Sequence, residues 1–218
     1  MNATPFDSYI FDMDGTLWDA VDSYCDVWNE AIRRLGLSDT PQVVRPRLER
    51  LMGKSIDVIY DTLIGPEVDR SAFLDELQRL EDEMMPRLGG RLYPGVADTL
   101  AELHGRGARL FMVSNCGREG LPNFLSYTGL RPLFTDALSL GSTGLDKTQN
   151  MLDLVSRYGL RRPVYVGDTT GDRDYTHAAG IPFVWAAYGF GRDVDGADYT
   201  INSFPELTGV GAERVTSV

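Results

Sequence analysis

The chain has 218 residues, and its 21 lysines and arginines face 32 aspartates and glutamates, which gives a formal net charge of −11 with histidine neutral. This acidic balance excludes a general nucleic-acid-binding surface and docking on anionic lipid, because both need clustered positive charge. With 43% hydrophobic residues the chain is too apolar for disorder, and its length predicts one domain and part of another. No apolar run is long enough to span a membrane.

Two cysteines are too few for a disulfide scaffold, and residues 1–7 show no basic leader before an apolar stretch. We therefore expect a reduced, cytoplasmic protein.

Short apolar runs at the start and in the second half of the chain predict buried strands. These runs cover residues 9–13, 108–114, 164–166, 183–186 and, more weakly, 199–201. Helical patterns lie between or beside them, at residues 96–105, 120–127, 147–158 and 172–179. Strands that alternate with helices indicate a parallel sheet covered on both faces.

The segment from residue 19 to residue 91 contains no buried-strand run. Apolar residues recur there at helical spacing and predict helices at residues 21–35, 43–51, 56–63 and 71–88. The predicted fold class is therefore α/β: a Rossmann-like parallel core of residues 1–18 and 92–218, with an all-helical domain of residues 19–91 inserted after the first strand.

The first strand ends in Asp12-Met13-Asp14-Gly15-Thr16. Alternate residues of a strand share a face, so Asp12 and Asp14 are expected on one side, and Gly15 lets the chain turn. A later strand leads into the stretch GDTTGD at residues 167–172, which brings two more aspartates. Ligands bind at the carboxyl ends of parallel strands, and carboxylates that converge there suit Mg²⁺. Only two histidines are present, which argues against a soft-metal site.

Two further stretches suit an anionic ligand. The strand at residues 108–114 ends in Ser114 and is followed by Asn115, whose polar groups and neighbouring backbone N–H groups can hold anionic oxygens. Lys147 opens a predicted helix and would offset negative charge, although a surface lysine is more often simply solvated.

Together the four stretches resemble the haloacid dehalogenase (HAD) superfamily. The matching motifs are DMDGT at residues 12–16, VSN at 113–115, Lys147, and GDTTGD at 167–172. The helical insertion looks like the C1 cap of that superfamily. The stretches SNC, GSTGLDK and AYGFG are similar to its phosphoglycolate-phosphatase-like branch.

The resemblance implies a phosphomonoester hydrolase that acts on a small phosphorylated metabolite. Asp12 would be the nucleophile that forms an aspartyl-phosphate. Asp14 would protonate the leaving group and then act as the base for water. A Mg²⁺ cofactor would be held by Asp12, by the backbone carbonyl of Asp14 and by Asp168. The remaining groups would support the site (Asp172), bind phosphate (Ser114 and Asn115), or steady both nucleophile and phosphate (Lys147).

Specificity is expected to come from the inserted helices. Arg47 and Lys54 belong to a cluster of positive charge, and Lys54 lies in a break between predicted helices. Our hypothesis is that Lys54, together with Arg47, touches the leaving group. The alternative is a solvated helix face.

Other functions remain open at this point. A phosphomutase of the β-phosphoglucomutase type would use the same Asp12 and Asp14. A catalytically idle binding protein is the alternative from another class, and the presence of Asp14 disfavours a dehalogenase.

A cysteine phosphatase would need an arginine six residues after its cysteine. Cys116 lacks this arginine and is therefore expected to be structural or incidental. The expected partner is a small phosphate ester, with no nucleic acid or membrane, and a monomer and a dimer are both open.

Overall fold

The structure is a computed structural model that describes residues 5–211. The ends of the predicted core, residues 1–4 and 212–218, lie outside the described residues. No helix within the described range has both the length and the apolar character needed to cross a membrane.

The described residues form strands of two to six residues. In chain order they are β1 (Ser8–Phe11), β2 (Trp18–Asp19), β3 (Arg91–Leu92), β4 (Arg109–Ser114), β5 (Phe134–Ser139), β6 (Pro163–Gly167), β7 (Phe183–Ala186) and β8 (Tyr199–Ile201). Six of them form one sheet in the order β5-β4-β1-β6-β7-β8. All neighbours in that sheet pair in parallel, whereas β2 and β3 form a separate antiparallel pair.

The buried strands contribute side chains to two apolar layers, one on each face of the sheet. Tyr9 and Phe11 of β1 pack in one hydrophobic cluster, and Ile10 between them packs in the other. Phe111 and Val113 of β4 join the cluster of Ile10. Because side chains alternate along a strand, a sheet covered on both faces requires continuous apolar sequence, and the predicted strands have it.

The helices follow the predicted order. They are α1 (Val21–Arg34), α2 (Arg45–Leu48), α3 (Ile56–Leu63), α4 (Arg70–Leu88), α5 (Val96–Gly105), α6 (Gly120–Thr128), α7 (Leu140–Thr143), α8 (Lys147–Tyr158) and α9 (Thr170–Ala178). The first four lie between β2 and β3, so the chain after the first strand is helical as expected. Trp28 of α1 packs against Phe73 of α4, with ring centroids 5.5 Å apart.

Several elements differ from the sequence prediction. The short strands β2 and β3 and the short helix α7 were not predicted. Strand β1 ends at Phe11, two residues early, and the predicted helix at 43–51 splits into α2 and a 3₁₀ turn at Glu49–Leu51. Val43 cannot join that helix because its backbone N–H and C=O both pair with the side chain of Asn29. Strand β5 was not predicted at all.

The β2–β3 pair connects the inserted helices to the core. Trp18 of β2 is buried and meets the ring of Phe124 of α6 at a centroid distance of 4.9 Å. Gly89, just before β3, has φ +58°, and a Cβ there would lie 2.1 Å from the ring of Tyr127. The return of the chain from α4 to the core therefore requires glycine at this position.

The glycine requirement can be tested with a matched pair of variants. Gly159 has φ +59°, but a Cβ added there would meet no atom within 4 Å, so Gly159→Ala carries backbone strain alone. We expect Gly89→Ala to lower the free energy of unfolding by about 1–3 kcal/mol more than Gly159→Ala. Gly89 has ψ −155°, a conformation that essentially only glycine adopts, and lies against Tyr127, whereas Gly159 has ψ 45° in the ordinary left-handed region. Urea denaturation of both variants measures the difference, and equal losses would contradict the glycine requirement at Gly89.

Candidate active site

The carboxyl ends of three neighbouring strands, β4, β1 and β6, bring polar residues together. Ser114 is the last residue of β4, whereas Asp12 and Asp168 directly follow β1 and β6. The N–H of Asp12 donates to the carbonyl of Val166 at 2.9 Å, so the chain stays beside β6 for one residue beyond the strand. The predicted convergence of the motifs at one sheet edge is present.

Lys147, the first residue of α8, lies at the centre of this edge and is only 3% exposed. Its Nζ is 2.8 Å from Oδ1 of Asp12 and 2.6 Å from Oδ1 of Asp172. Burial alone would lower the pKa of Lys147, but the two carboxylates outweigh burial and raise it well above its usual value. The lysine is therefore a fixed cation and not a surface charge.

The two carboxyl groups beside Lys147, those of Asp12 and Asp172, have pKa values shifted in opposite directions. Burial raises the pKa of Asp12 to about 6 against the opposing effect of Lys147. Burial would also raise the pKa of Asp172, yet Lys147 and Thr169 hold it below its usual value. The N–H and Oγ1 of Thr169 donate to Oδ2 of Asp172 at 3.0 and 2.7 Å. Asp172 is therefore ionised and has protein partners on both of its oxygens.

Tyr165 of β6 completes this network and was not predicted. Its buried hydroxyl accepts a hydrogen bond from Nζ of Lys147 at 3.2 Å and donates to the carbonyl of Val113 at 3.1 Å. In the sequence Tyr165 is one more apolar residue of a buried strand, so no local pattern distinguishes it. Its role depends on the neighbouring strands.

Asp168 differs from Asp172 because one of its oxygens has no partner. Its Oδ2 accepts the N–H groups of Phe190 and Gly191 at 2.7 and 3.3 Å. Its Oδ1 is buried without a hydrogen bond, and burial raises the pKa of Asp168 well above its usual value. A buried carboxylate oxygen without a partner is costly, and a cation would offset that cost.

The same region has the donor set of a divalent-cation site. Carboxylate oxygens of Asp12, Asp168 and Asp172 lie within 4.8 Å of one another. Since Asp172 is already bonded to Lys147 and Thr169, Asp12 and Asp168 are the carboxylates available to a cation. Hard oxygen ligands of this kind fit Mg²⁺ or a similar ion, so the residues present suit the group that the sequence implies.

Gly15 keeps this region open. It has φ +79°, and a Cβ at this position would lie 2.2 Å from Oδ2 of Asp168. No other residue type fits both the backbone conformation and the distance.

Asp14 is held from its other side by two aromatic side chains. Nε1 of Trp18 donates to its Oδ1 at 2.9 Å, and the hydroxyl of Tyr24 donates to its Oδ2 at 3.4 Å. Burial, reinforced by the charge of Asp12, raises the pKa of Asp14 to about 7. A carboxyl group with a pKa near neutrality can both give and take a proton.

A cavity of about 340 Å³ lies between this sheet edge and the inserted helices. Most of the predicted site residues line it, namely Asp12, Asp14, Lys54, Ser114, Asn115 and Lys147. Lys54 belongs to the loop between the 3₁₀ turn and α3, in which a Cβ on Gly53 would lie 2.8 Å from the side chain of Thr169. The loop therefore reaches the catalytic edge, as the break between predicted helices suggested.

Arg47 is not brought to the cavity. Its guanidinium is on the surface and donates to the carbonyl of Thr62 at 2.8 Å. The expectation that Arg47 joins Lys54 at the leaving group is not supported, because α2 turns this side chain toward the end of α3.

Cys116 also lines the cavity, where burial raises the pKa of its thiol to about 12. A thiol of this kind stays protonated and is a poor nucleophile, in agreement with the structural role expected from the sequence. Its backbone N–H donates to Oγ of Ser114 at 3.3 Å.

Comparison with known proteins agrees with this geometry. Residues 9–186 match the family model of the haloacid dehalogenase-like hydrolases. A phosphoglycolate phosphatase from Synechococcus elongatus is 30% identical over 83% of this chain and 84% of its own length. A phosphoglycolate phosphatase from Vibrio parahaemolyticus is 27% identical over 90% of this chain and 92% of its own.

Among solved structures, a predicted phosphoglycolate phosphatase from Haemophilus somnus superimposes with a TM-score of 0.83 at 22% identity, covering 96% of this chain and 99% of that one. At that identity the likeness concerns the fold alone. The chain belongs to the haloacid dehalogenase-like hydrolase family. Within that family it is a phosphatase-like enzyme.

The cation site predicts a binding behaviour that does not depend on turnover. Added MgCl₂ should raise the melting temperature of the wild-type protein by mass action, and Asp168→Asn should abolish most of this rise. Without added cation the variant should be at least as stable as the wild type, because burial disfavours the ionised carboxylate that the substitution removes.

Differential scanning calorimetry with and without Mg²⁺ measures both effects. Asp39→Asn is the matched control, since Asp39 is exposed and outside the cavity. A wild-type response of Asp168→Asn to Mg²⁺ would contradict the site.

Proposed function

We propose that the protein is a Mg²⁺-dependent phosphomonoester hydrolase that acts on a small phosphorylated metabolite through an aspartyl-phosphate. The observation that carries the proposal is that two carboxyl groups with different surroundings line one cavity. Asp12 lies against the ammonium of Lys147, and Asp14 has a pKa near neutrality.

Asp12 is the nucleophile in this proposal. One carboxylate oxygen is held by Lys147, which fixes the side chain and favours its ionised form. The other oxygen attacks phosphorus, so that a bond from Asp12 to phosphorus forms while the bond from phosphorus to the ester oxygen breaks. The product of this step is an aspartyl-phosphate and an alkoxide that needs a proton.

Asp14 supplies that proton. Trp18 and Tyr24 both donate to its carboxyl oxygens and set its orientation toward the cavity. After the alcohol leaves, Asp14 takes a proton from water as the water attacks phosphorus, which releases inorganic phosphate and restores Asp12. The same group acts as acid and then as base, and a pKa near neutrality suits both roles.

Ser114, Asn115 and Lys147 bind the phosphoryl oxygens. Oγ of Ser114 accepts the N–H of Cys116, so its own O–H proton is available for an anionic oxygen. Asp172 and Tyr165 hold Lys147 in place, which makes them positioning residues.

Mg²⁺ would be held by Asp12, Asp168 and the backbone carbonyl of Asp14. When bound, it neutralises phosphate charge and stabilises the charge that develops during phosphoryl transfer. The unpartnered oxygen of Asp168 supports this assignment.

Residues 19–91 act as a cap domain over a core of residues 1–18 and 92–218 in this proposal. Lys54 is the cap cation that reaches the cavity, and we assign it to contact with the substrate. The position of Gly53 against Thr169 supports contact between the cap loop and the catalytic edge.

Phosphate release from two esters tests the roles of both aspartates. With Mg²⁺ the wild type should release inorganic phosphate from 4-nitrophenyl phosphate and from a simple alkyl phosphate, and EDTA should stop both reactions. Asp12→Asn should lower kcat by about 10³-fold or more on either ester, because no nucleophile remains. Asp14→Asn should lower kcat/KM, which reports phosphate transfer to Asp12, far more for the alkyl ester than for the aryl ester, whose leaving group hardly needs a proton.

Asp39→Asn serves again as the control. Retained turnover in Asp12→Asn would refute the nucleophile assignment. Transfer of phosphate to a second sugar phosphate without release would favour a mutase.

A further inference from the structure

The part of the cavity beyond the proposed phosphate site would contact the leaving group of the substrate. Its wall from the inserted helices is mostly apolar, with contributions from Trp28, Leu48, Ile59, Leu77 and Met85. A cavity of about 340 Å³ with such a wall has room for an organic leaving group, whose selection then depends on the few polar groups in the wall.

Three charged residues, Lys54, Glu81 and Asp82, interrupt this wall. Glu81 of α4 lines the cavity on the same helix face as Leu77 and Met85, which are four residues to either side. It makes no hydrogen bond or ion pair with any other residue in the part of the chain that the structure describes. Other acids of α4 do find partners: Glu83 pairs with Arg34, and Asp82 accepts from Gln78.

The charges that act on Glu81 are negative. They belong to Asp14 and Asp82, and together with burial they raise the pKa of Glu81 to about 8. Lys54 lines the same cavity but forms no ion pair with Glu81, and its loop packs toward Thr169 instead. Glu81 is therefore a carboxyl group that lacks a cation, at a place that a substrate can reach.

Aromatic rings surround the same space. Tyr24 and Trp28 of α1 line the cavity together with Glu81. Aromatic faces attract cations, and an ammonium group gains from such faces and from a carboxylate at the same time. A carboxylate-bearing leaving group would instead meet Asp14, Glu81 and Asp82, with Lys54 as the one cation among the cavity-lining residues of the inserted helices.

Resting on the proposed phosphatase activity, we propose that Glu81 is a specificity-determining residue that selects phosphate esters of amino alcohols, with the substrate ammonium between Glu81 and the aromatic rings of α1. The covalent chemistry is unchanged: the amino alcohol leaves with the proton from Asp14, and phosphate passes through Asp12 to water.

Three esters of similar size and different charge test this selection. They are 2-aminoethyl phosphate (a cationic leaving group), propyl phosphate (neutral) and phosphoglycolate (anionic), with 4-nitrophenyl phosphate as a reference for the chemistry. In Mg²⁺ the wild-type kcat/KM should fall in the order cationic, neutral, anionic. Glu81→Gln should lower the ratio of cationic to anionic kcat/KM by about tenfold or more.

Asp75→Asn is the matched control, because Asp75 is an exposed acid of α4 outside the cavity. It should leave the ratio unchanged, which separates a local effect of Glu81 from the loss of one charge on the helix. Glu81→Asp keeps the charge and shortens its reach, so it should give an intermediate ratio and serves if Glu81→Gln does not fold.

A wild-type preference for phosphoglycolate, or equal ratios in Glu81→Gln and Asp75→Asn, would overturn the role of Glu81. Hydrolysis of the aryl ester without any preference among the three alkyl esters would overturn it as well, and would leave the phosphatase proposal standing. No phosphate from any ester would overturn the proposed function and this inference with it.

Discussion

The buried ammonium of Lys147 is the interaction on which the rest of the site depends. Asp12, Asp168 and Asp172 come within a few ångströms of one another in the interior, and such carboxylates repel unless a cation lies among them. Lys147 binds two of the three. Loss of one partner of a buried pair costs about 3–5 kcal/mol, so Lys147 is both a structural and a functional residue.

This constraint explains how the acids divide their roles. Asp172 is bonded to Lys147 and Thr169, which leaves it no free oxygen for a further ligand. Asp168 has a free oxygen and therefore remains available to a divalent cation. Burial and the charge of Asp12 raise the pKa of Asp14 to about 7 against the opposing effect of the hydrogen bonds from Trp18 and Tyr24. Four acids of one acidic chain thus acquire different properties from their neighbours.

The inserted helices add what the sheet edge lacks. The edge by itself offers polar groups suited to phosphate, and the helices supply a mostly apolar wall that includes Trp28, Leu77 and the acid Glu81. The net charge of −11 therefore includes acids that line the proposed site as well as acids on the surface. Part of it lies in the cation site, and part of it faces the place where a leaving group would lie.

Much of this arrangement could be predicted because strand ends and motifs are local features of the sequence. Asp12, Ser114 and Asp168 each close or follow an apolar run, and parallel pairing brings such ends together. Strand β5 escaped prediction because Asp136 interrupts its apolar pattern, and that carboxylate is bound by Arg157 and Tyr158.

Features that depend on tertiary contact could not be predicted. The helical pattern of α4 places Glu81 beside an apolar stripe but does not say what the stripe faces. The sequence likewise does not show which element the side chain of Arg47 faces, and in the structure it donates to the carbonyl of Thr62. The sequence pattern predicts Tyr165 only as a core residue, yet its hydroxyl orients Lys147. In each case the missing information is the identity of the neighbouring element.

The central claim is that phosphate passes through Asp12. In the proposed mechanism Asp14 is the base for hydrolysis, so an Asp14→Asn variant mixed with an activated aryl phosphate and Mg²⁺ should accumulate phosphoenzyme. Acid quenching and peptide mass spectrometry should then find one phosphoryl group on Asp12, and none in the Asp12→Asn, Asp14→Asn double variant. A phosphoryl group on any other residue would contradict the account, and so would turnover in the double variant.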